Sequence, residues 1–242
     1  MRFQLLTYSA GNRQSARFDE SLIALAANEG PVASVWEAQQ GLVVPRTYQR
    51  YERFNEVCQS FEKQAWPITV RQSGGGIVPQ GPGIINLSLA YAVDGLPLDH
   101  SNAAYELICR VIQQALRKLD IDTQPQAVTG SFCDGRYNLA WGLGDAAKKI
   151  AGTAQLWRRV TTPSPMQIGL VHALILAGID VNATTERINR FERELDSGKH
   201  YDARKIASLH ECQTATAPCC GEDFTYVLTR LLIDELSVEW AI

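Results

Sequence analysis

Residues 71–89 read RQSGGGIVPQGPGIINLSL, and the parsing of this stretch decides the fold. It follows PITVR (67–71), which reads as a strand, so a strand runs straight into three glycines, Gly74, Gly75 and Gly76. Glycine takes backbone angles closed to other residues, so the loop can be a tight turn joining two strands. It can equally let a ligand meet backbone N–H groups with no β-carbon in the way. Arg71 supplies a fixed cation just before the loop, and Ser73 opens it. GIINLSLAYAV (83–93) is apolar and strand-like, and on a regular strand Asn86 and Ser88 share one face. No Gly-Lys-Ser/Thr follows, so this is not a nucleotide-binding Walker loop.

The pattern extends outward in both directions. FDESLIALAANEG (18–30) reads as a helix capped by Asp19 and stopped by Gly30. PVASVWEA and GLVVP read as short strands. RYERFNEVCQSFEKQ repeats Tyr51, Phe54, Cys58 and Phe61 at helical spacing. SNAAYELICRVIQQALRKLD (101–120) is the clearest amphipathic helix. Beyond it come strand-like AVTG (127–130), the lysine-bearing strand KKIAGTAQLWRR (148–159) and an apolar segment around His172. The last third reads as mostly helical, with a Thr-capped helix in ATTERINRFERELDSG and a closing helix in GEDFTYVLTRLLIDEL. Strands and helices alternate without a regular βαβ rhythm. That predicts an α+β fold: a mixed, mostly antiparallel sheet flanked by helices. No linker or repeat divides the 242 residues, so a single domain is expected.

Composition excludes several functions. A net charge of −3 offers no basic footprint for nucleic acid. The most apolar run, Ile168 to Ile179, contains His172 and is shorter than the roughly 20 residues of a membrane helix. The N-terminus lacks the apolar core of a signal peptide. A soluble, cytoplasmic protein is expected, with neither nucleic acid nor membrane as a partner. Six scattered cysteines do not form a disulfide framework. HECQTATAPCC (210–220) matches no common zinc spacing, and no metal site is expected.

Two segments carry candidate chemistry. In KKIAGTAQLWRR the small residues Ala151, Gly152, Thr153 and Ala154 leave room for a narrow ligand or another backbone. A regular strand points Lys149, Ala151, Thr153 and Gln155 one way. Lys149 can also be an edge-strand guard against aggregation. In SFCDGRYNL (131–139) Cys133 is either a nucleophile or one more buried small residue.

Together these segments resemble the biotin/lipoate protein ligase and lipoyl/octanoyl transferase family. RQSGGGIVPQGPGIINLSL is similar to its Arg-x-Ser-Gly-Gly-Gly loop and following Asn-bearing strand. AKKIAGTAQLWRR is similar to its Lys-Ile-Ser/Ala-Gly-x-Ala-Gln signature. The resemblance covers about 19–180 and implies a single class II synthetase-like catalytic domain with that core and a helical extension over about 181–242. It also implies that Arg71, Ser73, Gly74, Gly75, Gly76, Asn86, Asn138, Gly152, Thr153 and Gln155 bind substrate. SFCDGRYNL resembles the branch of octanoyltransferases and amidotransferases with a cysteine nucleophile, making Cys133 and Lys149 the catalytic pair, 16 positions apart. An ammonium near the thiol favours the thiolate and speeds attack.

The resemblance thus implies an acyltransferase of protein lipoylation. An octanoyl or lipoyl group would leave a carrier (acyl carrier protein or a lipoyl domain), form a thioester on Cys133 and pass to a lysine of a lipoyl-domain acceptor. No cofactor is needed. Trp157-Arg158-Arg159 reads equally as a contact for an acidic carrier and as a solvated strand end. The alternative is an ATP- and magnesium-dependent lipoate or biotin ligase working through an acyl-adenylate. Against it, Asn138 stands where the ligases carry an aspartate, unless Asp134 substitutes. A third reading is a catalytically silent carrier-binding module. His172, alone among aliphatic residues, reads as structural.

Overall fold

The structure is a computed structural model, and it describes residues 1–7, 13–161, 166–213, 223–238 and 240. Among the described residues ten strands run in chain order: β1 (Gln4–Leu6), β2 (Val32–Trp36), β3 (Gly41–Pro45), β4 (Ile68–Arg71), β5 (Val78–Gln80), β6 (Ile84–Val93), β7 (Thr123–Pro125), β8 (Leu139–Trp141), β9 (Lys148–Val160) and β10 (Met166–Leu176). Five α-helices accompany them: α1 (Leu22–Glu29), α2 (Phe54–Glu62), α3 (Pro97–Arg117), α4 (Val181–Glu194) and α5 (Phe224–Leu236).

Seven strands form one sheet in the order β1-β2-β6-β10-β9-β8-β7, and β4-β3-β5 form a small second sheet. Within the large sheet only β1 and β2 run parallel; every other pairing is antiparallel. The expected mixed, mostly antiparallel architecture is what the chain adopts.

The two faces of the large sheet meet different partners. Ile85, Leu87, Leu89 and Tyr91 of β6 pack with α3 and α5 in the main core. Helix α3 earns its place by an apolar stripe (Leu107, Ile108, Val111, Ile112, Ala115, Leu116) that is buried completely. Each such aliphatic side chain contributes roughly 1.5–3 kcal/mol of transfer free energy. The opposite face carries the alternate residues Asn86 and Ser88, registered beside Leu174 and His172 of β10. That face packs against α1 and, at the Ile84 and Leu174 end, against the small sheet with α2 and α4. A buried site therefore has somewhere to form, between the polar positions of the large sheet and the small sheet.

Three local expectations change. AVTG is not a strand; the pairing segment is Thr123–Pro125, a few residues earlier. Helix α4 is capped by Asp180, whose side chain accepts from the N–H of Ala183, rather than by a threonine. Asp19 caps nothing. It lies in a 3-10 turn (Phe18–Ser21) ahead of α1, buried, with its carboxylate on His172.

Candidate active site

Arg71 organises the glycine loop. It ends β4, is buried, and donates to the carbonyls of Gly74 and Gly76 at 2.9 Å each. The guanidinium thus pins the loop into a ring that turns at Gly75, whose φ is +103°. A β-carbon at Gly75 would lie 2.8 Å from Cys133 Sγ and 2.9 Å from Arg71 Nη2. The glycine is required twice over, by backbone conformation and by contact with the sulfur.

Cys133 faces this loop. Its Sγ accepts the Gly76 N–H at 3.1 Å and the Arg71 guanidinium at 3.8 Å. Its φ is +49°, a left-handed conformation costing an ordinary residue about 1–3 kcal/mol. Such strain persists only where the surroundings fix it, and here it turns the thiol into the glycine ring. Asp134 helps to hold the turn: its Oδ1 accepts from the N–H of Val128 and from Asn138 Nδ2. That oxygen serves the loop, and Asn138 is buried beside it.

Lys149 lies behind the cysteine. It is fully buried, and its Nζ donates to the carbonyls of Phe132 (2.6 Å) and Cys133 (2.8 Å). It is no edge-strand guard. Its orientation comes from an irregularity in the β8–β9 pairing: Leu139 pairs with Ala151, but Ala140 pairs with Lys149. The unpaired Ile150 reverses the alternation. Lys149 consequently shares a face with Gly152, not with Thr153 and Gln155 as a regular strand predicts. Thr153 gives its hydroxyl to the carbonyl of Tyr137, and Gln155 donates to Ser101 of α3, on the helix side. Gln155 therefore does not line this pocket, whereas Thr153 does.

Electrostatics separate Cys133 from the other described cysteines. Burial pushes Cys58 and Cys212 up to about 11 and Cys109 to about 12. Burial acts on Cys133 too, but the Lys149 and Arg71 charges and the Gly76 N–H outweigh it, and its pKa falls below the ordinary thiol value. Burial in turn lowers Lys149 to about 8, against the upward pull of the Cys133 thiolate and Asp134.

Arg71, Ser73, Asn86, Cys133, Gly152 and Thr153 line one pocket, and Gly76 and Lys149 are hydrogen-bonded to Cys133 at its side. Gly74 gives its carbonyl to the Arg71 ring and is itself exposed, with open space beside its α-carbon. Asn86 pairs with Gln80, at 2.8 and 3.0 Å, and forms part of the floor. Val43, Val78, Leu156, Leu170 and Leu174 make the pocket's other walls apolar. Two residues that sequence reasoning set aside also line it. His172 Nε2 is 2.9 Å from Ser73 Oγ, and its Nδ1 meets Asp19. No spacing signal links positions 19, 73 and 172; the packing of a 3-10 turn and the glycine loop against β10 joins them. The vicinal Cys219 and Cys220 lie outside the described residues.

The chain is 49% identical over 210 residues to an uncharacterized protein of Cupriavidus necator, covering 84% of this chain and 82% of that one. It is 30% identical over 192 residues to an octanoyl-GcvH:protein N-octanoyltransferase of Kyrpidia tusciae, covering 77% of this chain but only 64% of the relative's length. The fold matches that of lipoate-protein ligase A in its ATP-bound crystal structure, with a TM-score of 0.67 at 16% identity, over 98% of this chain and 85% of that one. It also matches the bipartite lipoate protein ligase of Thermoplasma acidophilum, with a TM-score of 0.65 at 18% identity, over 98% and 83%. Residues 13–225 match the lipoyl protein ligase A/B catalytic domain, and the chain belongs to that family.

Proposed function

We propose that this protein is an octanoyltransferase of protein lipoylation that carries the acyl group as a thioester on Cys133. The observation that carries the reading is the setting of that sulfur: Gly76 N–H and Arg71 on one side, the buried Lys149 ammonium behind. An activated thiolate in a pocket with apolar walls suits a linear acyl substrate.

The steps follow from the residues. The Cys133 thiolate attacks the acyl carbonyl of a carrier-bound donor. Arg71 stands as a fixed cation beside the growing charge. The carrier leaves, and the amine of an acceptor lysine then attacks the thioester, forming an amide and restoring the thiolate. Neither half needs nucleotide. Both donor and acceptor are lipoyl-domain proteins in this reading, which is supported by the name of the Kyrpidia relative. The whole chain acts as one catalytic unit, in the cytoplasm where its thiols stay reduced.

The ligase alternative is disfavoured by Asn138, a neutral group where a carboxylate is expected, and by the engagement of Asp134 with its own loop. The test is transfer between two lipoyl domains of different mass, one octanoylated and one bare, without ATP. Octanoate should appear on the second domain with wild type and not with Cys133→Ala. Modification that requires free octanoate or lipoate with ATP and magnesium would instead establish a ligase.

A further inference from the structure

Transfer between amines needs a proton carrier, and Lys149 is badly placed to be one. Its ammonium is buried and committed to two backbone carbonyls, and Arg71 does not give up its proton. Across the same pocket stands a different set. Asp19, buried beneath α1, meets His172 Nδ1, and His172 Nε2 meets Ser73 Oγ at 2.9 Å. A carboxylate on one imidazole nitrogen fixes the tautomer and orientation and stabilises the imidazolium. Register explains the aim: His172 pairs with Ser88 and Ala154, on the face that Gly152 shares with Lys149.

We propose that His172, oriented by Asp19 and relayed by the Ser73 hydroxyl, is the general acid and base of the transfer, matched to a donor that carries its acyl group as a lysine amide. This rests on the transferase reading above. The steps balance. Thiolate attack forms the C–S bond and breaks the amide C–N bond, and the leaving amine takes a proton from the His172 imidazolium. The acceptor amine then forms a new C–N bond as C–S breaks, and its surplus proton returns to neutral His172. A thiol leaving group would need no such proton, so the relay distinguishes amide from thioester donors.

The experiment measures acyl-enzyme formation on wild type, His172→Gln and Asp19→Asn with two donors, an octanoylated lipoyl domain and the octanoyl thioester of pantetheine. With the amide donor His172→Gln should be at least about 100-fold slower, while with the thioester it should stay within about threefold of wild type. Asp19, a positioning residue, should give a smaller split in the same direction. Release of the pre-formed acyl-enzyme by hydroxylamine, largely unprotonated at neutral pH, should be unchanged, whereas release by a lysine acceptor should be slowed. Equal effects on the two donors in both variants, or no effect, would overturn the relay. A wild type acylated by neither donor would overturn the transferase reading itself.

Discussion

Gly152 stands where a β-carbon would lie 2.8 Å from the ammonium of Lys149 and 3.0 Å from its Cε. The missing side chain is the space that the lysine fills on its way to Cys133. Gly152→Ala should displace the ammonium and weaken the thiolate. We expect transfer to fall about 10- to 100-fold, equivalent to raising the thiol pKa by one or two units, with the fold retained. Steady-state transfer and a urea unfolding curve on the same variant check both halves.

Thiol selectivity is a second consequence. Only Cys133 among the described cysteines is pushed towards the thiolate, while Cys58, Cys109 and Cys212 are pushed away from it. Substoichiometric iodoacetamide at pH 7 should therefore modify Cys133 before those three. Peptide mapping by mass spectrometry reads the order, and equal labelling of Cys58 would contradict it.

The alkylation rate also has a pH dependence with a definite sign. It should rise with pH through a midpoint below the ordinary thiol value of about 8.5. In Lys149→Met the positive charge is gone while burial remains, so the midpoint should move up and the rate at pH 7 should drop.

Folding stability carries the same pair in a separate observable. Lys149 titrates at about 8 in the fold against 10.5 in the free side chain, so between those values the unfolded chain binds more protons. Its contribution to stability is lost as pH falls through about 8 and is regained on the way to 10.5. Cys133, also depressed, acts in the same direction. The urea midpoint of wild type should gain more between pH 7.5 and 9.5 than that of Lys149→Met.

The glycine loop should tolerate no side chain at its turn. Gly75→Ala forces a β-carbon onto Sγ at a φ of +103° and should cost about 1–2 kcal/mol of stability along with most of the activity. Circular dichroism and the transfer assay together check this.

Much of this was legible in the chain because the relevant signals are local. The Gly-rich loop after a strand, the alternation of Asn86 and Ser88, and the α3 stripe each follow from neighbouring residues. Cys133 and Lys149 were legible as candidates. The reach of Lys149 was not, because one unpaired residue, Ile150, reverses the alternation, so that Lys149 shares a face with Gly152 while Gln155 turns towards α3. Asp19 was hidden for another reason. An acidic residue just before a helix looks like a cap, and only the packing of its 3-10 turn against β10 shows the carboxylate meeting His172. Contacts between residues 153 positions apart leave no periodic trace in the sequence.

The most direct test of the cysteine mechanism is intact-protein mass spectrometry after mixing with an octanoylated lipoyl domain in the absence of ATP. Wild type should gain one octanoyl group, released by hydroxylamine and mapped to Cys133, and Cys133→Ser and Cys133→Ala should gain no such thioester. Transfer that proceeds undiminished in Cys133→Ala, or an octanoyl group found on another residue of the wild-type enzyme, would contradict the account.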